Sequence, residues 1–118
     1  MVGLLFALIF CLNSGAFGYV PSGDACPASE VVFIDPSVRD AEIIVAQLPQ
    51  GAEVVRLSPG MDAVGQISAH LAKKRGLSAI RIISHGSEGY FVLNGQIIDG
   101  EYVTENADVF AEWGDSIC

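Results

Sequence analysis

Few residues of this 118-residue chain could do chemistry beyond simple solvation. The clearest is His85, which follows the β-branched run 79–84 (AIRIIS) and precedes Gly86 and Ser87. Imidazole suits proton transfer near neutrality, so a histidine at the end of a strand is a candidate acid–base group. Asp35 ends a second such run, 30–34 (EVVFI), just before Pro36. Two readings of it are open: a turn-forming carboxylate, or a pocket acid facing a cationic ligand. Ser84 and Ser87 flank His85 as ligand-binding candidates. Ser84 adjoins His85, and successive strand side chains point to opposite faces, so the two should not share a pocket. Gly86 would let a backbone approach a ligand and leave the strand at an unusual dihedral.

The three cysteines are Cys11, Cys26 and Cys118. Cys26 and Cys118 lie far apart and form a candidate disulfide. In the chain-entropy model, a bridge closing so long a loop contributes roughly 4–5 kcal/mol. The alternative is two unrelated thiols. Neither cysteine spacing resembles a metal site, and His70 with His85 does not complete one. No metal and no cofactor is expected.

The positioning elements follow from periodicity. Residues 30–34 and 53–57 (EVVRL) read as buried strands, as does 79–84. Residues 40–48 (DAEIIVAQL) read as a helix that stops before Pro49 and Gly51. Residues 62–75 (DAVGQISAHLAKKR) form the clearest helix, with Asp62 at its start, basic residues at its end and Gly76 beyond. Strand, helix, strand, helix, strand predicts a parallel sheet with a helix on each face, a three-layer α/β sandwich. Right-handed crossovers give a strand order of 2-1-3 if the chain doubles back. Open sheets of this kind bind ligands outside the carboxyl ends of the strands, where the order reverses. That crevice would lie between Asp35 and His85.

Beyond the third strand, Asn94-Gly95 separates two apolar runs and predicts a β-hairpin. Residues 104–113 (TENADVFAEW) read as a third helix, with Thr104 as cap and Val109, Phe110 and Trp113 as its apolar face. His70 reads as a half-exposed helix residue, and Lys73, Lys74 and Arg75 as cations complementing the helix C-terminus. The outer edge of strand 79–84 carries unpaired backbone groups unless something covers it. The hairpin, a protein partner or a missing C-terminal segment could do so.

Residues 2–12 (VGLLFALIFCL) are apolar and too short for a comfortable bilayer span. They match a signal-peptide core, and Ala16-Phe17-Gly18 offers a small-x-small cleavage site. The expected organisation is a signal peptide over 1–18, a linker over 19–29 and one α/β domain over 30–118. The destination is then secreted or cell surface, with no stable membrane span. The net charge of -8 argues against nucleic acid as a partner.

The stretches 30–35 (EVVFID), 48–60 (LPQGAEVVRLSPG), 76–87 (GLSAIRIISHGS) and 107–114 (ADVFAEWG) resemble the bacterial family named domain of unknown function 4347. Its members are usually found in large exported, adhesin-like proteins. They look distantly similar to caspase-like cysteine peptidases, in which a His-Gly pair ends one strand and a nucleophilic Cys ends the next. On that resemblance His85 matches the catalytic histidine and Gly86 its following glycine. The family pattern continues beyond Trp113-Gly114 with an apolar strand ending in Gly-Cys. Here only Asp115-Ser116-Ile117-Cys118 follow. The resemblance therefore implies an incomplete caspase-like or flavodoxin-like architecture, truncated at its C-terminus, and Cys118 is not assigned the nucleophile's role. Three functions are open: an exported, non-catalytic interaction domain; a peptidase fragment lacking its nucleophile strand; and a small-ligand module using the Asp35–His85 crevice.

Overall fold

A computed structural model of the chain describes residues 5–10 and 29–118. Its first half contains β1 (Leu5–Phe10), β2 (Glu30–Ile34), α1 (Ala41–Val45), β3 (Glu53–Arg56) and α2 (Ala63–Leu71). Then come β4 (Ala79–Ser87), β5 (Tyr90–Leu93), β6 (Gln96–Asp99), α3 (Gly100–Glu105) and α4 (Ala107–Gly114).

The β-branched runs make the parallel centre. β2 pairs in parallel with β3 on one edge and with β4 on the other, which is the 2-1-3 order expected from the crossover rule. Alternation along the strands then builds two cores. Val31, Phe33, Ile80 and Ile82 pack with Ala63, Val64, Ile67 and Leu71 of α2 and with Trp113 of α4. Val32, Ile34 and Ile83 pack on the other face with Val38 and Ala41. Strands covered on both faces have no reason to alternate polar residues, which is why every residue of β2 after Glu30 is apolar and buried.

The helices depart from the expected bounds for local reasons. Asp40 takes a left-handed backbone (φ 57) and its carboxylate accepts no capping hydrogen bond, so α1 is short. Its end tightens into three-residue turns, with Gln47 N–H bonded to the Ile44 carbonyl and Leu48 N–H to that of Val45. α2 ends at Leu71 in the same manner, through Lys73 and Lys74. Arg75 donates to the Lys74 carbonyl at 2.6 Å, as basic residues at a helix C-terminus do.

The expected third helix is two helices. Asp99, not Thr104, is the cap, and its carboxylate accepts the Tyr102 N–H at 2.8 Å. An Asp one turn earlier outcompetes Thr as a cap. Thr104 instead donates its hydroxyl to the Gly100 carbonyl inside α3. Asn106 breaks the run, because its side chain bonds the Tyr102 carbonyl and its φ is -115.

β4 runs on to Ser87 because β5 pairs with it antiparallel, His85 opposite Val92 and Ser87 opposite Tyr90. His85, Gly86 and Ser87, expected to follow the strand 79–84, are therefore part of it, and Gly86 has no positive φ. The hairpin turn has φ 47 at Asn94 and φ 80 at Gly95, the paired positive values that a right-twisted two-residue hairpin needs.

The outer edge of β4 is not covered by the hairpin. β1 lies there, antiparallel, from Leu5 opposite His85 to Phe10 opposite Ile80. The C-terminus is anchored at the other end of the sheet. Leu77 N–H bonds the Ser116 carbonyl and Cys118 N–H bonds the Leu77 carbonyl, both at 2.9 Å. Among the described residues no helix is long and apolar enough to cross a membrane. Cys11, Cys26, the cleavage site and the linker up to residue 28 lie outside the described residues.

Candidate functional site

Topology delivers Asp35 and His85 to one place, as the strand order requires. The Asp35 N–H bonds the Ile83 carbonyl at 2.9 Å, which extends the β2–β4 ladder and fixes the carboxylate above it. Asp35 is 2% exposed, so its oxygens must find donors inside the protein. Oδ2 accepts the Ser37 N–H at 3.1 Å and also the Ser37 hydroxyl. The first of these bonds is the Asx-turn that an Asp-Pro-Ser sequence favours. Oδ1 accepts the backbone N–H of Asn94 at 2.7 Å.

Asn94 stands at the tip of the β5–β6 hairpin, and it makes further contacts. Its Nδ2 donates to the carbonyls of Ser58 (2.9 Å) and Met61 (2.7 Å). Ser58 is itself held by the Gln66 amide, which accepts from its N–H at 2.8 Å and donates to its carbonyl at 3.0 Å. The hairpin tip thus spans the carboxyl ends of β2 and β3 and closes over the Asp35 carboxylate.

His85 joins the same network through Ser37. Its Nε2 lies 3.2 Å from the Ser37 carbonyl. A carbonyl only accepts, so Nε2 carries a hydrogen, and in the neutral ring the lone pair sits on Nδ1. Nδ1 is buried and has no hydrogen-bond partner among the described residues. Ser84 is buried on the opposite face of β4, as alternation requires. Ser87 lies two residues further along β4, beside a different feature. That feature is an open, mostly apolar pocket of about 270 Å³ lined by Ser87, Tyr90, Phe91, Ile98, Asp99 and Val103 among others. Asp35, Ser37 and His85 do not line it.

Cys118 is disulfide-bonded. It sits beside Leu77, below the start of β4, whereas His85 is near the strand's far end. At about 3.3 Å per residue the two ends are roughly 25 Å apart. No thiol–imidazole pair exists among the described residues, and none of their His, Cys, Asp and Glu side chains gather into a group able to hold a metal.

His70 takes no part in this network. It lies 3.2 Å from Glu53, whose other oxygen is 2.9 Å from Lys74. The Lys74 ammonium, helped by His70 and opposed by partial burial, holds the Glu53 carboxyl below its ordinary value.

Ser37 and Asn94 are the residues sequence reasoning did not single out. The Asp-Pro-Ser triplet was a usable signal for Ser37. Asn94 was legible only as a turn residue, because its docking depends on where the hairpin folds.

The family described as Domain of unknown function (DUF4347) matches residues 31–118. No curated protein and no solved structure matches the chain significantly.

Proposed function

The chain belongs to the DUF4347 family, whose description assigns no activity, and from that premise we propose that it is a non-catalytic α/β interaction domain of an exported, surface-type protein. The observation that carries the proposal is the state of Asp35. Its carboxylate is spent on Ser37 and Asn94, so it fastens the hairpin tip to the end of β2 and does not face a ligand. A bridged Cys118 at the far end of the sheet cannot serve as the attacking thiolate for His85. Export is supported by the apolar run 2–12 with its small-x-small site, and by a disulfide, which persists in oxidising compartments.

A thiol-reactive peptide probe tests the reading. The unreduced chain should not be labelled at Cys118. After reduction, wild type and His85→Ala should be labelled equally. Labelling of the unreduced chain that disappears in His85→Ala would overturn the proposal.

A second reading is favoured by one observation. Nδ1 of His85 is buried and lacks a partner among the described residues. A caspase-like half-site would leave that nitrogen free for a thiol supplied from another segment.

A further inference from the structure

We propose that the outer edge of β4 is a strand-acceptor surface, covered by the leader strand β1 before processing and afterwards by an extended, uncharged apolar segment of another polypeptide. The proposal rests on the reading that the leader is removed on export.

The direction of the backbone groups defines the edge. Asp35 N–H bonds the Ile83 carbonyl, so Ile83 directs its backbone groups toward β2. Alternation turns those of Ile80, Ile82 and Ser84 the other way. These three face Phe10, Leu8 and Phe6 of β1 in the antiparallel register. Without β1 they would be a row of unpaired donors and acceptors.

Natural edge strands are blunted by lysine, proline, bulges or inward charges. Residues 80–85 (IRIISH) contain no proline and no lysine. Their one fixed cation, Arg81, is held 3.0 Å from Glu30 on the neighbouring strand β2, and so does not guard the outer edge. Apart from Arg81 and His85, the side chains along the edge are apolar or small: Ile80, Ile82, Ile83 and Ser84 are all buried. A strand laid beside them meets Ile80 and Ile82 on one face of the sheet and Ile83 on the other. The resident strand has that chemistry, since its six residues LFALIF carry no charge. Main-chain pairing on an exposed edge, with selection by alternate side chains, is the β-augmentation mode of peptide recognition.

Amide hydrogen exchange on the full chain reads the edge directly. Ile80, Ile82 and Ser84 amides should exchange as slowly as those of Arg81 and Ile83, which face β2. Leu8→Pro removes the donor opposite Ile82 and should speed exchange at Ile80, Ile82 and Ser84 at least tenfold, with Arg81 and Ile83 unchanged. A lysine-flanked LFALIF peptide should restore protection to that variant. The same peptide N-methylated at the positions of Phe6, Leu8 and Phe10 should not. Fast exchange at Ile82 and Ser84 in the unaltered chain overturns the proposal whether or not the variant folds. So does equal protection by both peptides, or by neither. The N-terminal residue of the exported protein separates the two claims. Retention of residues 1–18 overturns the processing step, absence of the protein from the exported fraction overturns the export reading, and the exchange data judge the edge.

Discussion

The backbone N–H of Asn94 donates to Oδ1 of Asp35 over 2.7 Å, and this bond ties the hairpin tip to the end of β2. Two features that look independent in sequence, a strand-ending carboxylate and an Asn-Gly turn, are one structural joint. His85 is bound into it through the Ser37 carbonyl. The carboxylate expected to face a ligand at the sheet's carboxyl edge is thereby engaged by the chain itself.

Asp35→Ala should cost about 3 kcal/mol in urea unfolding, because it strands the donors of Ser37 and Asn94, and an orphaned buried donor costs roughly 1–3 kcal/mol. Asp35→Asn should be nearly as costly. It keeps one oxygen but sets an amide NH₂ against either the Ser37 donors or the Asn94 N–H. A pocket acid kept for ligand binding would behave differently, and its removal would leave the urea midpoint unchanged or higher.

The two cores predict a sharp contrast between isoleucines. Ile82 of β4 is fully buried in the core shared with α2, and Ile82→Ala should cost about 2–5 kcal/mol. Ile97 is 57% exposed on β6, and Ile97→Ala should stay within about 0.5 kcal/mol. Similar losses at the two sites would mean that the hairpin packs against something else in solution.

What sequence revealed, and what it hid, follows from how local each interaction is. β2, β3 and β4 were legible because unbroken β-branched runs have few alternatives, and crossover handedness then fixed their order. That order alone put Asp35 beside His85. The break at Asn106 was hidden because an Asn within an apolar period signals nothing until its side chain finds the Tyr102 carbonyl. β1 was hidden for another reason. Residues 5–10 are uniformly apolar, and a run of that kind reads equally as a signal core or as a buried strand.

Gly95→Ala isolates the backbone demand of the hairpin turn. Gly95 has φ 80, and a Cβ placed there meets nothing within 4 Å. The cost is therefore conformational, about 1–2 kcal/mol for an L-residue in the left-handed region. A thermal scan should show it as a lower Tm. No loss would mean that the turn relaxes to another type, and with it the Asn94 contact to Asp35.

Glu53 predicts a pH dependence with a definite sign. Lys74 and His70 hold its carboxyl below its ordinary value of 4.5, so near that pH the folded state binds fewer protons than the unfolded chain. The stabilisation is present above pH 4.5 and is lost as pH falls through the lowered folded value. Urea midpoints measured from pH 7 to pH 3 should fall more steeply for wild type than for Glu53→Gln, with the gap closing at the acid end. The Glu53 side chain is 41% exposed, and exposed ion pairs are screened, so the difference at neutral pH should stay below about 1 kcal/mol. At about 1 M salt, where the screening length is only about 3 Å, it should shrink further. Lys74→Met should reproduce most of the loss because Lys74 is the largest cause of the lowered value, and His70→Ala less of it. Parallel pH curves for wild type and Glu53→Gln would show that the contact does not form in solution.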